Sequence, residues 1–186
     1  LQQGGIGPCV VRHEYIASLW SAKPQALEIA STNSQQHLAL EYLLANIFRK
    51  VKFREGQLPI LSRALSLRPV IGLLPTGAGK SLCYQLASLL QPGFSLVIDP
   101  LRSLMQDQRN NLQEIGIHRC KAIGSSSDLL DVQVFQKSMS DKHYLFVFLS
   151  PECLQVQSLR TVLSSIAASF PVVYCVIDEA HCVREW

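Results

Sequence analysis

A glycine-rich stretch, Leu73-Leu74-Pro75-Thr76-Gly77-Ala78-Gly79-Lys80-Ser81, constrains the fold more than any other part of the sequence. The apolar run from Val70 to Leu74 predicts a buried strand, and the run after Ser81 predicts a helix. A strand, a glycine-rich turn, Gly-Lys-Ser and a helix form the arrangement of a phosphate-binding loop, or P-loop. The predicted nucleotide-binding residues of this loop are Thr76, Gly77, Ala78, Gly79, Lys80 and Ser81.

The residue types in the loop suit that chemistry. Gly77 and Gly79 allow the backbone to curl so that successive N–H groups point at a phosphate. Lys80 is expected to reach the β- and γ-phosphates, and the Ser81 hydroxyl to bind Mg²⁺. The general pattern also has a first glycine, where this chain has Leu74. A chance glycine-rich turn before a core helix is the alternative, and Lys-Ser at the helix start argues against it.

Composition bounds the class of protein. The chain has 186 residues, 48% of them hydrophobic, which suits one α/β domain with a core and a small appendage. The net charge of +3 permits nucleic-acid binding without arguing for it. We expect neither a transmembrane segment nor a signal peptide, and a start at Leu1 indicates that the natural N-terminus has been lost. Six cysteines without a C-x-x-C pair predict buried free thiols in a reducing compartment and no zinc site.

The order of patterns predicts the domain organisation. Residues 1–33 are interpreted as an N-terminal extension or the remnant of an upstream domain, with helical periodicity over residues 10–20 and 26–30. Residues 34–186 alternate between predicted strands and helices, which indicates a parallel sheet covered by helices on both faces. The further strands are predicted at 94–98, 118–123, 144–149 and 172–177, and the helices at 35–50, 58–67, 101–115, 129–140 and 151–168.

Two carboxylates follow the last predicted strand. Asp178 and Glu179 stand directly after the apolar run from Val172 to Ile177, where adjacent buried carboxylates are costly without a cation. Asp178 is therefore expected to bind Mg²⁺, and Glu179 to orient and deprotonate an attacking water. A solvated Asp-Glu pair at a strand end is the alternative, and it is weakened by the phosphate-binding loop upstream. Lys80, Asp178 and Glu179 are the predicted catalytic residues.

Five segments in the same order resemble the motifs of RecQ-type helicases of superfamily 2. In chain order they are F-R-x-G-Q at 53–57, L-L-P-T-G-A-G-K-S-L-C-Y-Q-L-A at 73–87, V-I-D-P-L-x-S-L-M-x-D-Q at 97–108, F-L-S-P-E-x-L at 148–154 and I-D-E-A-H-C-V-R-E-W at 177–186. Leu74 in place of the first glycine is also typical of superfamily 2. The chain departs from the family at Asp99, which replaces a serine, and at Arg184-Glu185, which replaces Ser-Gln.

The resemblance implies a fold and a function. Residues 34–186 would form the first RecA-like domain, a three-layer P-loop NTPase fold truncated after its D-E-A-H box. The parent protein would be an ATP-dependent 3′–5′ DNA helicase of DNA repair and recombination, using ATP and Mg²⁺. Its partners would be single-stranded or forked DNA and a second RecA-like domain. It would act inside the cell, in the cytoplasm with the bacterial nucleoid or in the nucleus, and the fragment alone would hydrolyse ATP weakly or not at all.

The resemblance also implies roles for individual residues around the nucleotide. Gln57, helped by Arg54, would read the adenine edge, for which an amide has the matching donor and acceptor. An exposed glutamine at a helix start is the alternative for Gln57. His181 would couple hydrolysis to DNA contact, and a core histidine with satisfied hydrogen bonds is the alternative.

A second group of implied roles concerns DNA. Trp186 would stack on single-stranded bases, which aromatic faces do without sequence preference, or be a core residue. Pro100, Leu101 and Ser103 would line the DNA track, and Arg102 would contact a phosphate or remain solvated.

Two other functions stay open on the sequence. One is a different superfamily 2 ATPase, an RNA helicase or a duplex translocase, against which the segments at 53–57 and 82–85 argue. The other is a nucleotide- or DNA-binding module without catalysis, against which the intact Lys80, Ser81, Asp178 and Glu179 argue.

Overall fold

The computed structural model describes residues 24–26, 35–124 and 144–185. The helices predicted at 10–20 and 129–140, and most of that at 26–30, lie outside these ranges. Among these residues, five α-helices form where apolar residues recur with helical spacing. They are α1 (Gln35–Phe48), α2 (Gln57–Leu65), α3 (Lys80–Leu89), α4 (Arg102–Glu114) and α5 (Gln157–Ser169). No described helix combines the length and apolar composition needed to cross a membrane.

The described strands form one parallel sheet in the order β2-β3-β1-β4. They are β1 (Phe94–Ile98), β2 (Cys120–Ile123), β3 (Phe146–Leu149) and β4 (Val172–Ile177). β1 pairs in register with β3 from Ser95 opposite Phe146, and with β4 up to Ile98 opposite Ile177. Because parallel strands end at the same edge, Asp99 and Asp178 both follow the carboxyl edge of the sheet.

Side chains alternate between the two faces of the sheet, and each face has its own core. On one face Val147 and Leu149 pack with Leu159 and Ile166 of α5. On the other face Phe146 and Phe148 pack with residues of α4, among them Met105. Helices therefore cover both faces, and the predicted three-layer α/β fold with a parallel sheet is confirmed.

A third core positions the phosphate-binding loop. Leu44 of α1, Leu61 of α2 and Leu86 of α3 are completely buried against one another. Tyr174 of β4 packs on this cluster and its hydroxyl donates to the Ala64 carbonyl at 3.0 Å. These contacts fix α3, and hence its N-terminus, beside the sheet.

The strand predicted from Val70 to Leu74 is wrong. Residues 69–75 have no regular secondary structure, and Ile71 and Leu73 are 88% and 89% exposed. Within the described residues β4 pairs with β1 alone, and a mainly apolar cavity of about 540 Å³ is lined by residues of β4 and by residues 68–74. An apolar run becomes a strand only where a neighbour supplies backbone partners, and that pairing is not made here.

The helix predicted over 151–168 is divided into two. Pro151 opens a 3₁₀ helix to Gln155, Val156 is extended, and α5 follows. A second 3₁₀ helix, Ala180–Glu185, follows β4. The N-terminal segment has one described anchor: the Gln91 side chain accepts from Gln25 N at 3.1 Å and donates to Gln25 O at 2.6 Å.

Candidate nucleotide-binding site

The glycine-rich loop is a tight turn that leads into α3. Gly77 and Gly79 have φ of 77° and 79°, in the left-handed region that glycine adopts without a steric penalty. Gly79 caps α3, so Lys80 and Ser81 form its first turn. A Cβ atom at Gly77 would meet nothing within 4 Å, whereas one at Gly79 would lie 2.7 Å from Gln57 Nε2. The turn is thus open on the Gly77 side, with the exposed Thr76 next to it.

Gln57 and Arg54 hold the loop from behind. Gln57 is 4% exposed, and its Nε2 donates to Ala78 O at 2.7 Å and to Gly79 O at 3.1 Å. Its Oε1 accepts from Arg54 N at 2.8 Å, and the Arg54 guanidinium donates to Gly77 O. The structure therefore places both residues against the phosphate-binding loop. Their reading of adenine stays a prediction, and both amide hydrogens of Gln57 are engaged here with protein.

The two distant motifs meet at the carboxyl edge of the sheet. Lys80 Nζ lies 3.7 Å from Glu179 Oε1, and His181 Nδ1 lies 3.3 Å from Glu179 Oε2. Glu179 has a φ of 46°, an uncommon conformation for a residue other than glycine. His181 is 74% exposed by side chain, so the alternative of a core histidine is wrong.

Asp178 is anchored to the sheet and to α4. Its backbone N–H donates to Ile98 O at 2.9 Å, which continues the β1–β4 pairing by one residue. Its Oδ1 accepts from Glu179 N at 2.9 Å, and its Oδ2 accepts from Gln108 Nε2 at 3.0 Å. Lys80, Asp178, Glu179 and His181 also line one end of the cavity between β4 and residues 68–74.

The carboxylate oxygens of Asp178 are suitable ligands for a magnesium ion. Each Asp178 oxygen accepts one hydrogen bond in these contacts and keeps a further lone pair for a metal. Within the described part of the chain, no group of three or more His, Cys, Asp or Glu residues could hold a metal ion. Magnesium commonly needs few protein ligands, because waters and substrate phosphates complete its shell. Asp178 and the Ser81 hydroxyl are the residues that would hold it.

Three residues of this site were not predicted from the sequence to belong to it: Tyr84, Asp99 and Gln108. Asp99 directly precedes the turn at residues 100–103, and it is completely buried next to the predicted metal site. Burial raises the pKa of its carboxyl, and the negative charges of Asp178 and Glu179 raise it further, against the opposing effect of the Leu101 N–H bond. Tyr84 donates its hydroxyl to Gln108 Oε1.

The predicted DNA-contacting residues lie in the turn between β1 and α4. Leu101, Arg102 and Ser103 are exposed and Pro100 is half-buried. The Arg102 side chain passes close to Gly124 at the end of β2, at 3.2 Å from the position of a Cβ there. These residues form an accessible surface at the same edge of the sheet as Asp178. Trp186 lies outside the described residues.

Comparison with known proteins agrees with this geometry. Residues 54–186 match the model of the DEAD/DEAH box helicase family, and the chain belongs to that family. Among its relatives, the probable ATP-dependent DNA helicase RecS of Bacillus subtilis is 40% identical over 79% of this chain. The ATP-dependent DNA helicases Q1 of Rattus norvegicus and RecQ of Haemophilus influenzae are 33% and 35% identical over 79% and 77% of it.

The expected resemblance to RecQ-type helicases is thereby confirmed. The chain spans 28%, 24% and 22% of the length of these three relatives.

Proposed function

We propose that this chain is the ATP-binding motor domain of an ATP-dependent 3′–5′ DNA helicase of DNA repair and recombination. The observation that carries the proposal is the approach of Lys80 to Glu179, because it unites a phosphate-binding loop with a carboxylate pair at one edge of the sheet. The exposed turn at Leu101 to Ser103 on the same edge supports contact with single-stranded or forked DNA. Such a protein would act in the cytoplasm, at the bacterial nucleoid, or in the nucleus.

In the proposed reaction, the loop N–H groups and the α3 N-terminus bind the phosphates of ATP. Lys80 leaves Glu179 and pairs with the β- and γ-phosphates, which frees the Glu179 carboxylate to orient a water. Glu179 then accepts a proton from that water as it attacks the γ-phosphate, and the bond from the γ-phosphorus to the bridging oxygen breaks, so that ADP and inorganic phosphate leave. Mg²⁺, when bound, neutralises charge on the β- and γ-phosphate oxygens.

The opposite wall of the ATP site belongs, in this proposal, to a second RecA-like domain of the parent protein. An arginine from that domain would stabilise the transition state and contribute ~10³-fold or more in rate. Closure of the two domains on ATP would then move the protein along single-stranded DNA.

The proposal is tested by magnesium-dependent binding of a fluorescent ATP analogue to wild type, Lys80→Ala and the control Lys52→Ala. Lys52 is exposed and distant in sequence from the loop. We expect Lys80→Ala to weaken binding at least about tenfold, since Lys80 contributes a direct charge to the phosphates, and Lys52→Ala to bind like wild type. Equal affinity for all three proteins would overturn the assignment of the loop.

The nucleic-acid substrate is tested separately. ATP hydrolysis by the full-length protein should rise on addition of single-stranded DNA and not on addition of RNA of the same length. Stimulation by RNA alone would favour an RNA helicase, and turnover that neither polymer changes would argue against a nucleic-acid motor.

A further inference from the structure

The side-chain amide of Gln108, on α4, lies at the centre of a partly buried group of polar side chains. Its Nε2 donates to Asp178 Oδ2 at 3.0 Å and to Asp99 Oδ2 at 3.4 Å, and its Oε1 accepts from Tyr84. Both amide hydrogens and the amide oxygen are therefore engaged, with partners directly after β4, directly after β1 and on α3. A glutamine held on three sides has one orientation, and it delivers one N–H to the Asp178 carboxylate.

The chemistry of the partners excludes the flipped amide. Carboxylates accept hydrogen bonds, so rotation of the amide would set its oxygen against two negative oxygens. Burial raises the pKa of the Tyr84 hydroxyl well above its ordinary value, and the charge of Asp178 raises it further, so this hydroxyl stays a donor. The two carboxylates therefore select the orientation in which Gln108 Nε2 faces them, and the Tyr84 hydroxyl stabilises it by donating to Oε1.

Asp99 connects this group to the exposed turn after β1. Its Oδ1 accepts from Leu101 N at 2.9 Å, while its Oδ2 faces Gln108. Asp99 itself is completely buried and its N–H donates to Leu149 O, so its backbone is fixed in the sheet. Movement of the turn at residues 100–103 would consequently act on the Asp99 carboxylate and, through Gln108, on Asp178.

We propose that Gln108, oriented by Tyr84 and Asp99, is a positioning residue that sets the Asp178 carboxylate for Mg²⁺, and that Asp99 makes this setting respond to contact at residues 100–103. The inference rests on the proposed function, because it assigns a metal to Asp178. It goes beyond that function in naming the side chains through which a ligand on the exposed turn would alter metal binding.

The first test measures the Mg²⁺ concentration that half-saturates binding of a fluorescent ATP analogue to the full chain. Gln108→Leu keeps the side-chain size and removes the amide. The matched control is Gln106→Leu on the same helix, since Gln106 is exposed and its amide contacts only side chains of α4, donating to Asn110 at 2.9 Å and accepting from Arg109 at 3.4 Å. Loss of a residue that orients a metal ligand typically weakens metal binding by about 10–100-fold. We expect at least about a tenfold rise for Gln108→Leu, with Gln106→Leu and metal-free nucleotide affinity both unchanged.

The variant Tyr84→Phe provides an independent test. It perturbs packing little, because it removes only the hydroxyl that orients the amide. It should raise the half-saturating Mg²⁺ concentration in the same direction as Gln108→Leu, by a smaller factor of about three, as expected for a more remote hydrogen bond. If Gln108→Leu fails to fold, Tyr84→Phe decides. Values equal to the Gln106→Leu control in every folded variant would overturn the positioning role.

The link to the turn is tested with a short single-stranded deoxythymidine oligonucleotide. In wild type, saturating oligonucleotide should change the half-saturating Mg²⁺ concentration. Asp99→Asn keeps an acceptor for Leu101 N–H but sets a donor against Gln108, so the oligonucleotide effect should be lost. An undiminished effect in Asp99→Asn would overturn the link. Wild-type protein that binds nucleotide independently of Mg²⁺ would instead overturn the proposed function.

Discussion

Lys80 Nζ and Glu179 Oε1 lie 3.7 Å apart. The residue proposed to bind the phosphates of ATP is thus paired with the residue proposed to orient the attacking water. Both side chains are partly exposed, at 37% and 26% of their surface. An ion pair in such a setting contributes at most about 1 kcal/mol, because water screens it and its side chains lose freedom. The pair can therefore separate at little cost when ATP arrives, and it keeps Glu179 in place until then.

Glu179→Gln should bind Mg²⁺-ATP with an affinity close to that of wild type and lose turnover. The amide keeps the size of the side chain but cannot take a proton, and general bases contribute about 10²–10⁴-fold in rate. Steady-state ATP hydrolysis by the full-length protein, with nucleotide binding measured in parallel, checks this. Glu114→Gln at the exposed end of α4 is the control and should keep both properties. Turnover retained in Glu179→Gln would remove Glu179 as the base.

Gln57→Ala should destabilise the protein by about 1–3 kcal/mol. It leaves the carbonyls of Ala78 and Gly79 without the donors that the buried amide gives them. Urea unfolding measures the loss, and Gln157→Ala at the exposed start of α5 should change stability little. If Gln57 also reads adenine, the same variant loses its preference for ATP over GTP. Wild-type stability in Gln57→Ala would show that the amide does not support the loop.

Stability should fall as the pH rises from about 8 towards 11. Burial raises the pKa of Cys83 and of Cys120 to about 11 from an ordinary 9.0. The unfolded chain therefore loses these protons at lower pH than the folded chain, so deprotonation favours unfolding. At pH 10 each thiol therefore lowers the free energy of unfolding by about 1 kcal/mol relative to pH 7.

Urea unfolding at pH 7 and pH 10 checks this dependence. Replacing both thiols in Cys83→Ala/Cys120→Ala should make the fall with pH shallower, although the double variant starts from a lower stability. An unchanged pH dependence would show that other groups control it.

Gly93→Ala should cost about 2–4 kcal/mol of stability. Gly93 has a φ of 137°, and a Cβ atom there would lie 2.4 Å from both the Pro171 carbonyl oxygen and Val173 Cγ2. Backbone strain and overpacking each cost of order 1–3 kcal/mol.

Gly72→Ala is the matched control, because its Cβ would meet only the flexible end of Ile60 and its backbone is exposed. Thermal unfolding compares the two variants. Similar midpoints would contradict the crowding inferred at Gly93.

Two of the four described strands have the bounds that the sequence predicts, and the other two begin later. Phe94–Ile98 and Val172–Ile177 form as predicted, whereas β2 and β3 begin two residues later than expected. The failure at Val70 to Leu74 has a different cause. The segment is apolar, as a buried strand would be. A strand also depends on backbone partners from distant residues, however, and a local pattern does not reveal these.

In the candidate site, too, the sequence predicts some residues and not others. Lys80 and Glu179 meet as their assignment to one nucleotide site predicts, although the strand predicted before the loop does not form. Gln108 was missed because a glutamine in a helix resembles a surface residue. Its spacing carried a signal, since positions 105, 108 and 112 share one face of α4, and Met105 and Leu112 are buried. A polar residue between two buried apolar ones indicates a buried polar partner.

The free edge of β4 has a consequence for the behaviour of this chain in solution. Its backbone groups on that side have no strand partner among the described residues, and Ile71, Leu73 and Ile177 are exposed near it. Such an edge is a template on which another extended segment can add by backbone hydrogen bonding. Self-association at this edge would rise with protein concentration, so the share of the chain present as monomer would fall as its solution is concentrated.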